Sequence, residues 1–150
     1  MRIETSRFGL IEIDDERILD FPWGIPGFES IKRFVMIEHR TGPFHWLQAV
    51  DDPDVAFVVC PSEELGYRYI VPPAKAKTLD IERNEDLLVL VLVSLDRGKN
   101  KVRPHMSAPL LMNSATRKGF QWVLEAGELK KHIELFNIDD LLAEIEEEPA

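Results

Sequence analysis

Proline spacing limits the fold of this chain more than any other feature of its sequence. Nine of its ten prolines lie between residues 22 and 109, at or between short apolar segments. Because proline lacks the N–H that a strand ladder needs, it marks sheet edges and turns. The segments are rich in Val, Ile, Phe and Tyr, which suit a pleated, half-buried surface. Strands spaced this closely, with no helical pattern between them, predict an all-β fold, either a small antiparallel β-barrel or a tightly packed sandwich.

The predicted strands begin with a hairpin at the N-terminus. Residues 3–5 and 10–13 alternate apolar and polar side chains on either side of Phe8-Gly9, which is typical of two strands joined at a glycine turn. Further strands are predicted at 34–38, 44–50, 55–60, 67–71, 87–95, 109–112 and 120–124. A basic stretch is predicted to be a solvated hairpin loop and contains Arg97, Lys99, Lys101 and Arg103.

Helix is predicted mainly in the last quarter of the chain. Asn137 is placed to cap a helix that carries one apolar stripe, formed by Ile138, Leu141, Leu142 and Ile145. Helical spacing before it predicts a separate turn or helix through Leu129, Ile133 and Phe136. Residues 126–150 also hold eight carboxylates against two lysines, so most of the net charge of −9 lies there. We therefore expect a barrel domain at 1–125 and an acidic helical tail at 126–150, whose stripe faces either the barrel or a groove for a partner.

Composition excludes several classes of function. A net charge of −9 argues against nucleic acid as a direct partner, because such binding depends on Lys and Arg neutralising phosphates. The longest apolar run, Leu87 to Val93, is too short to cross a bilayer, so no membrane partner is expected. The only cysteine, Cys60, excludes an intramolecular disulfide. These features favour a cytoplasmic protein.

No pattern in the sequence assembles a catalytic site, so an enzyme, a cofactor and a metal are not expected. The glycines form no phosphate-binding loop, and there is no serine elbow or His-Glu-x-x-His motif. His39 and His45, even with Glu38 beside them, match no set of metal ligands, and Cys60 is predicted to be a buried small hydrophobe. The alternative is a ligand-binding or enzymatic barrel that uses its interior, with these histidines or Cys60 as polar contacts.

An unusual turn follows the first hairpin. Residues 21–28 contain two prolines, two glycines and three aromatic residues in eight positions. Since proline fixes φ and glycine permits positive φ, this turn is predicted to be stiff and specifically shaped. Its aromatic side chains either plug the end of the barrel or anchor a protein contact, and we expect Phe28 to be buried.

Several segments, taken in order, resemble the FliW flagellar assembly factor family. The most distinctive is Gly24-Ile25-Pro26-Gly27-Phe28, which follows a strand at 18–21. A strand containing Phe44, Leu47 and Gln48 then precedes 55–59. The closing hairpin of the family is matched by 108–113, which includes Pro109, and by 118–124. The resemblance covers roughly residues 1–125.

The resemblance implies a small antiparallel barrel and a non-enzymatic regulator with two partners, flagellin and the translational regulator CsrA. Proteins of this family capture CsrA once flagellin has been secreted, which relieves CsrA repression of flagellin translation. The resemblance also favours allosteric or electrostatic exclusion of RNA from CsrA over simple competition for the RNA-binding surface.

Candidate partner contacts follow from charge and from the motifs. Acidic clusters suit a basic RNA-binding protein. The predicted clusters of this chain are Asp14, Asp15 and Glu16; Asp51 and Asp52; and Glu63 and Glu64. Phe28 and Asn113 are the other candidates. Asn113 follows a short apolar strand, so we expect it to be a turn residue with left-handed φ.

Overall fold

Twelve strands and two short helices form the part of the chain that the computed structural model describes, residues 1–39, 42–96 and 101–135. The strands are β1 Arg2–Thr5, β2 Gly9–Glu12, β3 Leu19–Asp20, β4 Arg33–Glu38, β5 His45–Ala49, β6 Ala56–Pro61, β7 Tyr67–Tyr69, β8 Leu87–Asp96, β9 Lys101–Pro104, β10 Leu110–Asn113, β11 Lys118–Gln121 and β12 Ile133–Leu135. The helices are α1 Pro73–Thr78 and α2 Ala126–Leu129, and single 3-10 turns span Asp15–Arg17, Ser62–Leu65 and Asn84–Asp86. None of the described helices has the length and apolar character needed to cross a membrane.

Seven of these strands close into a barrel. Their order around the ring is β10, β11, β3, β4, β5, β6 and β8, and β8 returns to β10 through antiparallel pairing such as Leu90 with Leu110. The pairs are antiparallel except for one parallel contact between β3 and β11, at Asp20 and Lys118. The prediction of an all-β barrel is confirmed.

Alternation along the strands explains how the barrel is filled. On β4, Phe34 and Met36 belong to the interior cluster, whereas Val35 and Ile37 face outward beneath the β1–β2 hairpin. On β8, both faces are covered, because Leu88, Leu90 and Leu92 pack inward and Leu87, Val89 and Val91 pack against an outer layer. A strand buried on both sides has no polar alternation, which explains the continuous apolar run that the sequence shows there.

The outer layer includes helix and strand that the sequence did not predict. Helix α1 starts at Pro73, a residue whose fixed φ suits the first turn of a helix, and it lies outside the last quarter, where most of the helix is expected. The helical spacing of Leu129 and Ile133 holds for one turn only, because Ile133–Leu135 is a strand paired with β7. Leu129 and Ile133 join the outer cluster with Trp122. The predicted helix from Asn137 lies outside the described residues.

Candidate protein interface

The turn at residues 21–28 is held by a dense set of backbone hydrogen bonds. The Gly24 N–H donates to the Phe21 carbonyl at 2.7 Å, and the Phe28 N–H donates to the Ile25 carbonyl at 2.6 Å. Gly24 and Gly27 both have positive φ, +69° and +89°, which an L side chain rarely adopts. The Gly27 N–H also donates to the Glu29 carboxylate at 2.9 Å, and this bond lowers the pKa of Glu29. The turn therefore has the defined shape that its composition predicts.

The burial of Phe28 was predicted wrongly. Its side chain is 39% exposed, while Phe21 and Ile25 of the same turn are 0% and 2% exposed. The left-handed backbone at Gly27 directs the chain outward after Ile25, so Phe28 lies at the rim with its ring edge-on to Phe57 at 5.2 Å. Trp23, on the same turn, is 60% exposed. Large exposed aromatic side chains on a stiff turn are typical of interface anchors.

Two adjoining concavities lie beside this turn. The first, here called the aromatic groove, has a volume of about 350 Å³ and is lined by Trp23, Gly24, Pro26, Lys75, Phe120 and Gln121, among others. The second, here called the Arg7 cleft, has a volume of about 680 Å³ and is lined by Arg7, Trp46, Phe57, Ser94, His105 and Gln121, among others. Gln121 lines both, and Phe57 of the cleft contacts Phe28. The two concavities form one continuous surface on this side of the barrel.

Sequence reasoning missed most of this surface. Trp23 and Phe120 meet edge-on at 6.1 Å although almost 100 residues separate them. Arg7 comes from the first hairpin and lies 4.3 Å from the ring centre of Trp46 on β5. No local motif indicates these contacts. Trp23 and Phe120 meet through the β3–β11 pairing of the barrel, whereas Arg7 reaches Trp46 because the β1–β2 hairpin packs on the outside of the barrel.

Asn113 has a structural role but not the left-handed φ that the sequence predicts. It is buried at the end of β10, and its amide nitrogen donates to the Leu79 carbonyl at 2.8 Å. Its amide oxygen accepts from the Ala115 N–H at 2.9 Å. The left-handed residue of this turn is Arg117, with φ +63°, so the expectation for Asn113 is wrong. The side chain of Asn113, rather than its backbone, shapes the turn.

Two of the three predicted acidic clusters converge on Arg33. Its guanidinium donates to both carboxylate oxygens of Asp51, at 2.6 and 3.0 Å. This hydrogen bonding, and the charges of Asp51, Asp20 and Asp15, raise the pKa of Arg33. We call Asp15, Asp20 and Asp51 the acidic patch. Asp14 accepts from the Glu16 N–H, and Asp52 accepts from the Asp54 N–H, so each shapes its own exposed turn.

The third acidic cluster lies elsewhere. Glu63 and Glu64 are exposed on the 3-10 turn that precedes β7, and Glu63 is 3.7 Å from the guanidinium of Arg68. The structure therefore does not join these two residues to the acidic patch.

Asp51 gives the acidic patch a defined pH dependence. The hydrogen bonds from Arg33 lower the pKa of Asp51 in the folded chain. The stabilisation that the Asp51 carboxylate provides is therefore complete above the carboxyl pKa of the unfolded chain, and it is lost as pH falls through the lower pKa of the folded chain. We expect Asp51→Asn to lower the free energy of unfolding by about 0.5–1 kcal/mol at pH 7, since the pair is half exposed. Near pH 2 the loss is expected to vanish. Urea unfolding at both pH values measures this, with Glu4→Gln on β1 as the control, and an equal loss at both would contradict it.

Histidine and cysteine side chains assemble no metal centre in the described part of the chain. His45 pairs with Glu38 across β4 and β5, whereas His39 stacks on Trp46 at 5.2 Å. Cys60 is fully buried, and burial raises the pKa of its thiol to about 11, which is the behaviour of an unreactive small hydrophobe.

The sequence of this chain is similar to those of one known family over most of its length. A sequence model of the family described as FliW protein matches residues 2–135. The chain belongs to the FliW family. It is 36% identical over 125 residues to the flagellar assembly factor FliW of Caldicellulosiruptor saccharolyticus, covering 82% of each chain. It is 32% identical over 152 residues to that of Treponema denticola, covering 97% of this chain and 96% of the relative.

A crystal structure of the flagellar assembly factor FliW has the same architecture. It superimposes with a TM-score of 0.75 at 29% identity, over 83% of this chain and 89% of that one. The family resemblance identified from the motifs is thus confirmed.

Proposed function

We propose that this chain is a non-enzymatic flagellar assembly factor that acts in the cytoplasm by binding flagellin and CsrA. In binding CsrA it antagonises that regulator and so controls flagellin translation. The family assignment supports the role in assembly, because the relatives are flagellar assembly factors. The single observation that carries a protein-binding role is the exposed aromatic surface built on the rigid Gly24–Phe28 turn.

We assign the two partners to two surfaces that differ in charge and in aromatic content. The aromatic groove offers Trp23 and Phe120 to an amphipathic segment, and the same turn exposes Phe28; this is a common way of binding a helix, and we assign it to flagellin. The acidic patch around Arg33 presents carboxylates to a basic protein, and we assign it to CsrA. An acidic body bound beside CsrA also repels RNA phosphates without covering the RNA-binding surface.

The alternative function, a ligand or an active site inside the barrel, needs interior space. Phe34, Leu47, Leu90 and Leu110 are fully buried within one packed cluster there. No specific observation favours this alternative.

Replacing Phe28 tests the assignment of flagellin to the aromatic groove. Phe28→Ala is expected to weaken flagellin binding by about tenfold or more, because exposed aromatic anchors carry much of the binding energy of an interface. Ile70→Ala is the matched control, since Ile70 is an apolar residue that is 51% exposed beyond β7 and does not belong to the Gly24–Phe28 turn. Titration calorimetry with purified flagellin measures both, and equal affinities for the two variants would reject the assignment.

Coupling between the two partners tests the regulatory part of the proposal. Saturating flagellin is expected to weaken CsrA binding by roughly 5–150-fold, the usual range of allosteric coupling. The CsrA association rate should also fall as salt rises above ~0.15 M, because salt screens attraction between an acidic and a basic protein. Stopped-flow and equilibrium titrations of CsrA, with and without flagellin, measure both effects. A CsrA affinity that does not change with flagellin would refute the switch.

A further inference from the structure

Basic side chains gather at one end of the Arg7 cleft, although the chain as a whole is acidic. The guanidinium of Arg7 lies 4.3 Å from the ring centre of Trp46. Ser94 and His105 also line the cleft, and Ser94 Oγ is 2.8 Å from His105 Nε2. Arg103 is directly opposite Ser94 in the β8–β9 register, so the two side chains share a face of the sheet. The cleft therefore combines the Arg7 guanidinium with a hydroxyl that is bonded to an imidazole, while Arg103 lies across the strand pair from Ser94 and is not among the residues that line the cleft.

No described residue that lines this cleft is an aspartate or a glutamate. Arg7 forms no ion pair with a residue that the structure describes. With 27 carboxylates against 18 Lys and Arg in the sequence, acidic partners are abundant in this chain. An arginine without an acidic partner in a concave site is therefore a feature that an external anion can complete.

The geometry around Arg7 favours a carboxylate. A guanidinium lying on an aromatic face keeps its planar set of N–H donors in place, and that set matches the two oxygens of a carboxylate. When His105 donates to Ser94, the hydroxyl proton of Ser94 is available as a further donor. The protein's net charge of −9 repels a phosphate chain, so the same donors favour an isolated carboxylate over a nucleic acid.

The surroundings of the cleft favour a polypeptide. The cleft continues through Gln121 into the aromatic groove, and Phe57 on its wall contacts the exposed Phe28. The surface has aromatic residues along its length, Arg7 and His105 in the cleft, and Lys75 together with Glu29 in the groove. It matches a segment that has apolar side chains and an acidic residue, and the carboxylate of Glu29 in the groove leaves the Arg7 cleft as the place for that acidic residue. The surface is too extended to be filled by a small anion.

We propose that the Arg7 cleft binds an aspartate or glutamate side chain of the flagellin segment that occupies the aromatic groove, and that this contact sets the register of the bound segment. The inference rests on the proposed function, which assigns flagellin to this surface. It adds a specificity contact: a segment that is apolar but lacks the acidic residue binds poorly.

Arginine variants of the full-length chain test this contact. Arg7→Gln is expected to weaken flagellin binding by about tenfold, the effect of losing one charge-assisted hydrogen-bonding partner. It should also make flagellin binding less sensitive to salt. Arg83→Gln is the matched control, because Arg83 is exposed and already paired with Glu85 at 3.1 Å, and its flagellin affinity should not change. Unfolding midpoints of all variants are measured alongside, and Arg7→Lys should recover only part of the affinity because it keeps the charge and loses the planar donors.

A second set of variants lies on flagellin. Each acidic residue of its binding region is replaced by its amide, and the affinity is measured against both the wild-type chain and Arg7→Gln. One flagellin variant is expected to lose affinity for the wild-type chain and to lose nothing further against Arg7→Gln, which identifies the partner carboxylate.

The possible results separate the inference from the function on which it rests. If flagellin does not bind the wild-type chain, the proposed function fails and the inference fails with it. If flagellin binds and Arg7→Gln binds equally well, only the inference is overturned. If Arg7→Gln binds flagellin more tightly than the wild-type chain does, an acidic segment of this chain occupies the cleft. If the wild-type chain binds a single-stranded RNA 15-mer and Arg7→Gln abolishes that binding, the cleft is a nucleic-acid site. Either result rejects the proposal.

Discussion

Gly24→Ala is expected to lower the free energy of unfolding by at least about 3 kcal/mol. Gly24 has φ +69°, and a Cβ atom built on it would lie 2.6 Å from Glu29 Cα and 2.7 Å from the Glu29 carbonyl oxygen. Both atoms belong to the backbone, so no side-chain rotation relieves the overlap. The turn would have to open, and opening it withdraws Ile25 from the interior cluster. Urea unfolding followed by tryptophan fluorescence measures the loss.

Gly27→Ala is the control for this prediction. Gly27 has φ +89° in the same turn, but no atom lies within 4 Å of a Cβ added there. The substitution therefore adds only the strain of a left-handed alanine, about 1–2 kcal/mol. Equal losses for the two variants would show that backbone conformation, and not the close approach to Glu29, determines the choice of glycine at residue 24.

Asn113→Ala is expected to cost about 2–4 kcal/mol, because it leaves the buried Leu79 carbonyl and two part-buried N–H groups without their hydrogen-bond partner. The amide of Asn113 satisfies the Leu79 carbonyl, at the end of α1, and two backbone N–H groups of the following turn, Ala115 at 2.9 Å and Thr116 at 3.3 Å. One side chain thus joins the barrel strand β10 to the outer layer.

Two further variants separate this role from a general effect of removing an amide. Asn84→Ala, at an exposed position of a 3-10 turn, is expected to stay within about 0.5 kcal/mol of the parent chain. Asn113→Asp keeps the acceptor for Ala115 and Thr116 but turns a carboxylate toward the Leu79 carbonyl, so it should be destabilising at pH 7 and less so at low pH. An Asn113→Ala variant as stable as Asn84→Ala would contradict the assigned role.

The barrel was predictable because its strands carry the signal locally. Apolar alternation predicted β4 and β5 to within one or two residues, and the double-sided burial of β8 was already visible as an unbroken apolar run. Helix α1 was not predictable in the same way. Its six residues are too few to show a helical period, and the cue at its start, Pro73, is shared with turns and sheet edges.

The interface was predictable only in part. The motif at residues 24–28 located it, but the burial of Phe28 depended on how far the chain turns at Gly27, which composition does not specify. Phe120 belongs to the surface through barrel closure and Arg7 through the packing of the β1–β2 hairpin on the barrel, and neither carries a signal of its own. The carboxylates of the acidic patch lie far apart in the sequence, near residues 15 and 51, and only the fold brings them near Arg33.

Pairing of β3 with β11 affects how the chain acquires this surface during synthesis. Asp20 and Lys118 meet across about 100 residues, so the ring cannot close until most of the chain has left the ribosome. Contacts of such high sequence separation make folding slow, since loop-closure entropy is lost before the contact forms. The groove between Trp23 and Phe120 therefore does not exist on a nascent chain. A partner that recognises this groove therefore binds only chains whose translation is nearly complete. A ribosome-stalled chain that ends before residue 118 should have no affinity for flagellin.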